Sequence, residues 1–393
     1  MKRICVIGNF SGRNAGDAAI LGCLLEDVSR LYPDVEYDIP TINPGFVRRH
    51  YSEHRIRPVP MLPWNLSAKI FGLPVFRSVL RSDLVLVTDA ILFDLHLFNP
   101  LFNYLSTMAL VLPMARSRGI PVVLYNVSLG PITSRAGRVC MNRVLRSSSR
   151  IVVRDRESTE MLQRLGLEHG PIDLGADCAL CTRPSDAARI DEISKAAGIS
   201  WAGRGTVSFN VNSYLDVFVR QGGKRFARRH FAELMAATVD RTINELNVNA
   251  LFVMTQPMDT GINDEVLALV RRRDAVRLVT NRECTYRDIA GLFSRVSLHV
   301  GMRTHSLILA SSVGTPIIGI IATPKNRGFM RSIGQDARMV EFQDLTADRL
   351  FNLISESWQN RQAISAHVAS EVLKAAELAR KTATFLAPYL GDR

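Results

Sequence analysis

The sequence predicts an α/β protein made of two halves, each a parallel sheet covered by crossover helices. Short apolar runs alternate with stretches of helical periodicity along nearly the whole chain. Several of these runs end in a turn containing glycine, as at Gly8 after Ile4–Ile7 and at Gly301 after 297–300. The length, 393 residues, is about twice that of an ordinary domain. Right-handed crossovers between parallel strands then make each half Rossmann-like.

The elements follow in order. Ile4–Ile7 is the first strand. Ala18–Leu31 is a helix that sets Ile20, Leu21, Leu24, Leu25 and Val28 on one face. Leu84–Val87 and Val122–Tyr125 are buried strands, the second entered through Gly119-Ile120-Pro121. Arg150–Val153 is a strand, and a helix from Ser158 to Leu165 stops at Gly166. Between Leu97 and Ala115 no charge occurs over roughly a membrane-span length. Asn99, Pro100, Asn103 and Pro113 interrupt it, so a buried helix is expected, with contact to a membrane surface as the alternative. Turn chemistry and polarity over 182–200 place the boundary between domains 1–183 and 184–365. The plan then repeats: strands at Val207–Val211, Ala250–Met254, Val276–Val279, 297–300 and 316–321, a helix at 231–246, and mostly helix over 347–390.

Apolar residues make up 47% and charged residues 22%, which excludes a disordered chain. The formal net charge of +12 suits anionic partners. The basic clusters Arg48-Arg49, Lys224-Arg225 with Arg228-Arg229, and Arg271-Arg272-Arg273 read first as solvated faces. Nucleic acid is not expected, since no recognition module is present and aromatics are only 7% of residues. Six scattered cysteines fit a reducing compartment, and Cys178 and Cys181, the one close pair, have no second pair or histidines at zinc spacing. The expectation is buried packing, no metal and no cofactor. The N-terminal apolar run is too short for a signal peptide, so a cytoplasmic location is expected.

Four segments carry chemistry. Gly8 to Ile20 joins a strand to a helix, and Asn14, Gly16 and Asp17 stand where backbone N–H groups can meet an anion; Asp17 reads equally as a helix cap. The spacing is not that of a dinucleotide fingerprint. Ser128-Leu129-Gly130-Pro131 follows a strand, where α/β sheets bind ligands, and a plain loop would look the same. Arg154 ends another strand and offers a planar fork to a carboxylate or phosphate, while Asp177 follows the next short strand. The strongest segment is Gly301-Met302-Arg303-Thr304-His305-Ser306, after which Lys325 follows the next strand. His305 is the natural proton carrier of this group. Arg303 and Lys325 would hold the anionic groups of a substrate in a cleft between the halves.

On these segments the chain resembles the polysaccharide pyruvyl transferases over about residues 4–335. The residues concerned are Asn14 to Ile20, Leu129-Gly130-Pro131-Ile132, Arg154-Asp155 with Ser158 and Leu165-Gly166, Ala176-Asp177, and Gly301 to Ser306 with Pro316 and Pro324-Lys325. The resemblance implies the GT-B glycosyltransferase architecture, two Rossmann-like domains facing each other. It also implies that residues 366–393 form a C-terminal helix crossing back to the first domain. It implies transfer of the enolpyruvyl unit of phosphoenolpyruvate to a sugar, forming a pyruvate ketal and releasing phosphate. The family's basic residues fall on Arg154, His305 and Lys325, with Arg303 as companion. The implied acceptor is a lipid- or nucleotide-linked sugar, used at the inner face of the cell membrane. One departure stands out: the family's glycine-rich turn after Leu84–Val87 is here Thr88-Asp89-Ala90-Ile91-Leu92-Phe93-Asp94.

In the expected mechanism His305 and Arg303 are the catalytic pair. Arg154, Lys325, Asn14, Gly16, Asp17, Gly130, Asp177, Gly301 and Ser306 bind substrate, and Asp17 or Asp177 serves as base. Two other readings stay open. A nucleotide-sugar glycosyltransferase would use an acidic residue of the second half, for which Glu283 is the candidate. A degenerate member would bind a ligand without catalysis.

Overall fold

The structure, a computed structural model, describes residues 1–61, 73–99, 104–167, 170–213 and 228–391. Lys224 and Arg225 of one basic cluster, and Pro100 and Asn103 of the uncharged stretch, lie outside them. The chain forms two compact units. One comprises Met1–Gly12, Asp17–Cys178 and Ala375–Arg393, the other Arg13–Gly16 and Ala179–Lys374.

The first unit holds a seven-stranded sheet. Its strands are β1 (Lys2–Ile7), β2 (Val35–Thr41), β3 (Ile56–Pro60), β4 (Leu84–Val87), β5 (Val122–Val127), β6 (Arg150–Val153) and β7 (Ile172–Leu174). The order is β3-β2-β1-β4-β5-β6-β7, and every pairing is parallel. Strand order reverses between β1 and β4, the switch point outside which open sheets of this kind bind ligands. The central strands are continuous apolar runs because helices cover both faces: every residue of β4 and β5 is buried.

The second unit holds a six-stranded parallel sheet. Its strands are β8 (Thr206–Asn210), β9 (Asn249–Met254), β10 (Val276–Thr280), β11 (Leu298–Gly301), β12 (Ile317–Ile321) and β13 (Met339–Glu341), in the order β10-β9-β8-β11-β12-β13. Here the switch lies between β8 and β11. The unit has its own core, in which Phe209, Phe231 and Phe252 are fully buried among aliphatic side chains. The mixed α/β architecture with two parallel sheets is the fold class read from the sequence.

Helix ends follow local chemistry. Asp155 caps the helix Arg156–Leu165, its carboxylate accepting from the Ser158 N–H at 2.8 Å, and Gly166 closes that helix at φ 58. The uncharged stretch resolves into a turn at 95–98 and a helix, Leu105–Ser117, with Pro113 inside it. No helix among the described residues is long and apolar enough to cross a membrane. Cys178 and Cys181 are buried in one short 3-10 turn.

Candidate functional site

In the second unit the candidate residues stand at two successive strand ends, those of β11, which borders the switch point, and β12. After β11 the chain turns through Gly301, Met302 and Arg303 into the helix Thr304–Ser311, and the turn is tied to the neighbouring strand. The Met302 N–H donates to the Asn210 carbonyl at 3.1 Å and the Arg303 N–H to Asn210 Oδ1 at 3.1 Å. Asn210 Nδ2 donates in turn to the Val253 carbonyl, which anchors it to β9. After β12 the chain enters the helix Pro324–Ser332, capped by Thr323. Asn326 joins the two turns. Its Nδ2 donates to the Met302 carbonyl at 2.5 Å, and its Oδ1 accepts from Thr304 Oγ1 at 3.0 Å and from Thr323 Oγ1. Lys325 is therefore the residue beside a bolt that holds its turn against the His305 turn.

Gly301 and Ser306 are explained by His299 beneath them. His299 is fully buried; its Nδ1 meets Ser208 Oγ at 2.8 Å and its Nε2 meets Ser306 Oγ at 3.1 Å. Burial lowers this imidazole to a pKa of about 3, so it is neutral. Ser306 Oγ also donates to the Arg303 carbonyl at 2.8 Å. A Cβ on Gly301 would stand 2.7 Å from both His299 Nε2 and Ser306 Oγ. Ser306, expected at the substrate, is buried with its hydroxyl committed to the turn.

Arg303 is held as a fork on Asp259: Nη2 donates to Oδ1 at 2.7 Å and Nε to Oδ2. Asp259 is fully buried and also accepts from the Ser213 N–H and Oγ, both at 2.9 Å. The guanidinium expected to meet a substrate anion thus already faces a carboxylate. Asp259 lies 44 residues from Arg303 in the chain, and nothing in its local sequence announced it.

His305 packs on the start of the helix Ala15–Leu31. A Cβ on Gly16 would stand 2.0 Å from His305 Cγ and 2.1 Å from Nδ1, so only glycine leaves room for the ring. Residues 13–16 are fixed in the same unit: the Ala15 N–H donates to the Thr255 carbonyl at 3.0 Å, and Asn281 Nδ2 to the Arg13 carbonyl at 3.1 Å. Asn14 Oδ1 accepts from the Gly16 N–H at 2.9 Å. The helix begins at Ala15, so Asp17 lies in its first turn and the capping reading of Asp17 is corrected. Glu283 is exposed on the turn after β10.

In the first unit Arg154 and Asp177 form an ion pair at 2.6 Å, with side chains only 7% and 6% exposed. Burial opposes the Arg154 charge, but Asp177, then Asp89 and Asp155, hold it above the usual arginine value. Asp17 is buried and accepts from Asn9 Nδ2 at 2.7 Å. The Tyr104 hydroxyl is pushed up by burial first and by Asp17 and Asp89 next. Asp89, in the turn without glycine, takes φ 70 and folds its Oδ1 onto the Ala90 N–H at 2.6 Å. Aspartate tolerates this left-handed backbone better than most residues, which lets the turn form without glycine. Asp94 is structural: it accepts from the Thr133 N–H at 2.7 Å and the Ser134 N–H at 2.6 Å, bracing the loop that contains Gly130. Gly130 takes φ 81, and a Cβ there would meet Met161 Sδ at 2.2 Å.

Comparison with known proteins bears on the family and the fold. The polysaccharide pyruvyl transferase family model matches residues 14–322. The amylovoran biosynthesis protein AmsJ of Erwinia amylovora is 24% identical over 94% of this chain and 95% of its own. Among solved structures, Anabaena HepE in complex with UDP-glucose superposes with a TM-score of 0.64 at 14% identity, over 99% of both chains. MnaA of S. aureus, in a co-structure with UDP, gives 0.67 at 10% identity over 99% of this chain and 97% of its own. These likenesses show a GT-B-like fold.

Proposed function

The chain belongs to the polysaccharide pyruvyl transferase family, and from that premise we propose that it transfers the enolpyruvyl unit of phosphoenolpyruvate to a sugar of a surface polysaccharide precursor. The acceptor is a carrier-linked sugar, attached to lipid or nucleotide. The observation that carries the reading is His305 seated on the bare backbone of Gly16, in a turn that Asn326 bolts to the Lys325 turn. A proton carrier held that tightly beside a helix N-terminus fits a small anionic donor.

In this mechanism His305 gives its proton to the methylene carbon of phosphoenolpyruvate while a sugar hydroxyl attacks the adjacent carbon. A carboxylate takes the hydroxyl proton. Asp17, which accepts from Asn9, and Asp177, which pairs with Arg154, are the two candidates for this base. Phosphate then leaves with the C–O bonding pair, and a second hydroxyl closes the ketal and gives up its proton. Lys325 and Arg154 are assigned to the donor's anionic groups. Arg303, like Arg154, already pairs with a carboxylate; it is assigned as the companion of His305, its fork on Asp259 holding the turn.

The test is phosphate release from phosphoenolpyruvate with carrier-linked sugars supplied. His305→Ala is expected to lower turnover by about 10²–10⁴-fold. Near-normal release would remove His305 from the acid role. Stabilisation by a nucleotide sugar and not by phosphoenolpyruvate in thermal unfolding would favour a glycosyltransferase instead.

A further inference from the structure

We propose that the outer face of the helices Leu105–Ser117 and Arg135–Ser147 docks on an anionic lipid bilayer. From Leu95 through Arg154 the chain contains no aspartate or glutamate, yet it carries eight arginines. This stretch folds into the two crossovers that join β4, β5 and β6. Those strands succeed one another on one side of the switch, so right-handed crossovers put both helices on the same face of the sheet, where they pack together. Six of the arginines, Arg116, Arg118, Arg135, Arg138, Arg143 and Arg146, are exposed. Arg116 donates to the Arg146 carbonyl and Arg138 to the Leu165 carbonyl at 2.7 Å, contacts that hold side chains without cancelling charge. The flanking helix Arg156–Leu165 carries two acids, Glu157 and Glu160, and two arginines, Arg156 and Arg164, and so adds no net charge.

Large apolar side chains are exposed among these arginines. Leu110 is 53% and Met114 40% exposed one helical turn apart, Val139 is 57% exposed on the second helix, and Phe98 is 69% exposed in the turn before the first. Arginines without acids would suit any polyanion, but a nucleic acid backbone offers nothing to Leu110, Met114 and Phe98. An anionic bilayer takes both: headgroups meet the guanidinium groups, and the apolar side chains enter the boundary of the acyl region. The face is basic and dotted with hydrophobes rather than continuously apolar, which fits reversible peripheral attachment. This inference deepens the lipid-linked acceptor of the proposed function, and its test needs neither donor nor acceptor.

The full chain is sedimented with phosphatidylcholine vesicles containing phosphatidylglycerol, and with pure phosphatidylcholine vesicles. Binding is expected only to the anionic vesicles, weakening as salt rises. The double variant R118Q/R143Q should lower partitioning at least about tenfold, and L110S/M114S should lower it at constant charge. The pair R48Q/R49Q, exposed on the helix Pro44–His50, controls for net charge and should bind nearly as the parent does. Circular dichroism checks that each variant is folded. Absence of anionic-vesicle binding, equal weakening by the control pair, or tighter binding to DNA than to vesicles would each overturn the assignment.

Discussion

At the scale of single residues, the site depends on groups that do no chemistry themselves. Gly16 is the clearest case, because any Cβ there would overlap the His305 ring. Gly16→Ala should leave the protein folded by circular dichroism while cutting turnover by about 10–100-fold, since a displacement of an ångström at a catalytic group has that cost. Asp259 holds Arg303 from full burial. Asp259→Asn should therefore destabilise by about 3–5 kcal/mol in urea unfolding, the usual consequence of stranding a buried charge. The double variant with Arg303→Met should recover part of that loss, which a simple loss of packing would not. His299 adds a pH dependence. It is neutral in the fold, with a pKa near 3 against 6.5 for an unperturbed imidazole, so the unfolded chain binds a proton that the native one refuses. Its contribution to stability is thus complete above about pH 6.5 and is lost as pH falls toward 3. Urea unfolding across that range should give a steeper acid decline for the parent than for His299→Gln.

At the scale of elements, the irregular end of β5 is where a strand becomes a clamp. Asn126 takes φ 49, and the register with β6 shifts between Leu124 and Val127. Its side chain is buried, with Nδ2 donating to the Ala379 carbonyl at 3.2 Å and Oδ1 accepting from Thr382 Oγ1 at 2.8 Å. The end of the helix Arg361–Thr384 is thus fastened to the first sheet by Asn126, with Tyr32 donating to the Ala383 carbonyl at 3.4 Å beside it. Asn126→Ala should cost about 2–4 kcal/mol, losing both hydrogen bonds to the last helix and a third to Cys178 Sγ, and placing alanine at positive φ. Hydrogen exchange should show the loss first at residues 376–386. Asp89→Gly is the contrasting case: it relieves the left-handed backbone but gives up one hydrogen bond and a negative charge near the buried Arg154, so the net loss should stay within about 1–3 kcal/mol.

At the scale of the whole molecule, each unit has its own sheet and core, and the last residues of the chain belong to the first unit. Ala379, Ala383 and Leu386 are buried there. A chain ending at Lys374 should therefore lose protease resistance within 17–178 while 179–374 stays protected, which limited proteolysis followed by mass spectrometry would read. Uniform loss across both units would contradict this division.

Much of the architecture was legible in the chain because its signals are local. Apolar runs of strand length, helical spacing at Ile20, Leu21, Leu24 and Leu25, and turn residues at strand ends were enough for an α/β protein with parallel sheets. Gly301, Arg303, His305 and Lys325 were visible for the same reason, each standing at the end of a run. What the sequence could not decide is which partners those residues would meet. The fork on Arg303 comes from Asp259, the support under Gly301 from His299, and the link between the strand ends from Asn326. Asp17 became a first-turn residue rather than a cap because the helix begins at Ala15. Hydrogen bonds and close packing join atoms by distance in space, and the fold brings together positions that no local pattern connects.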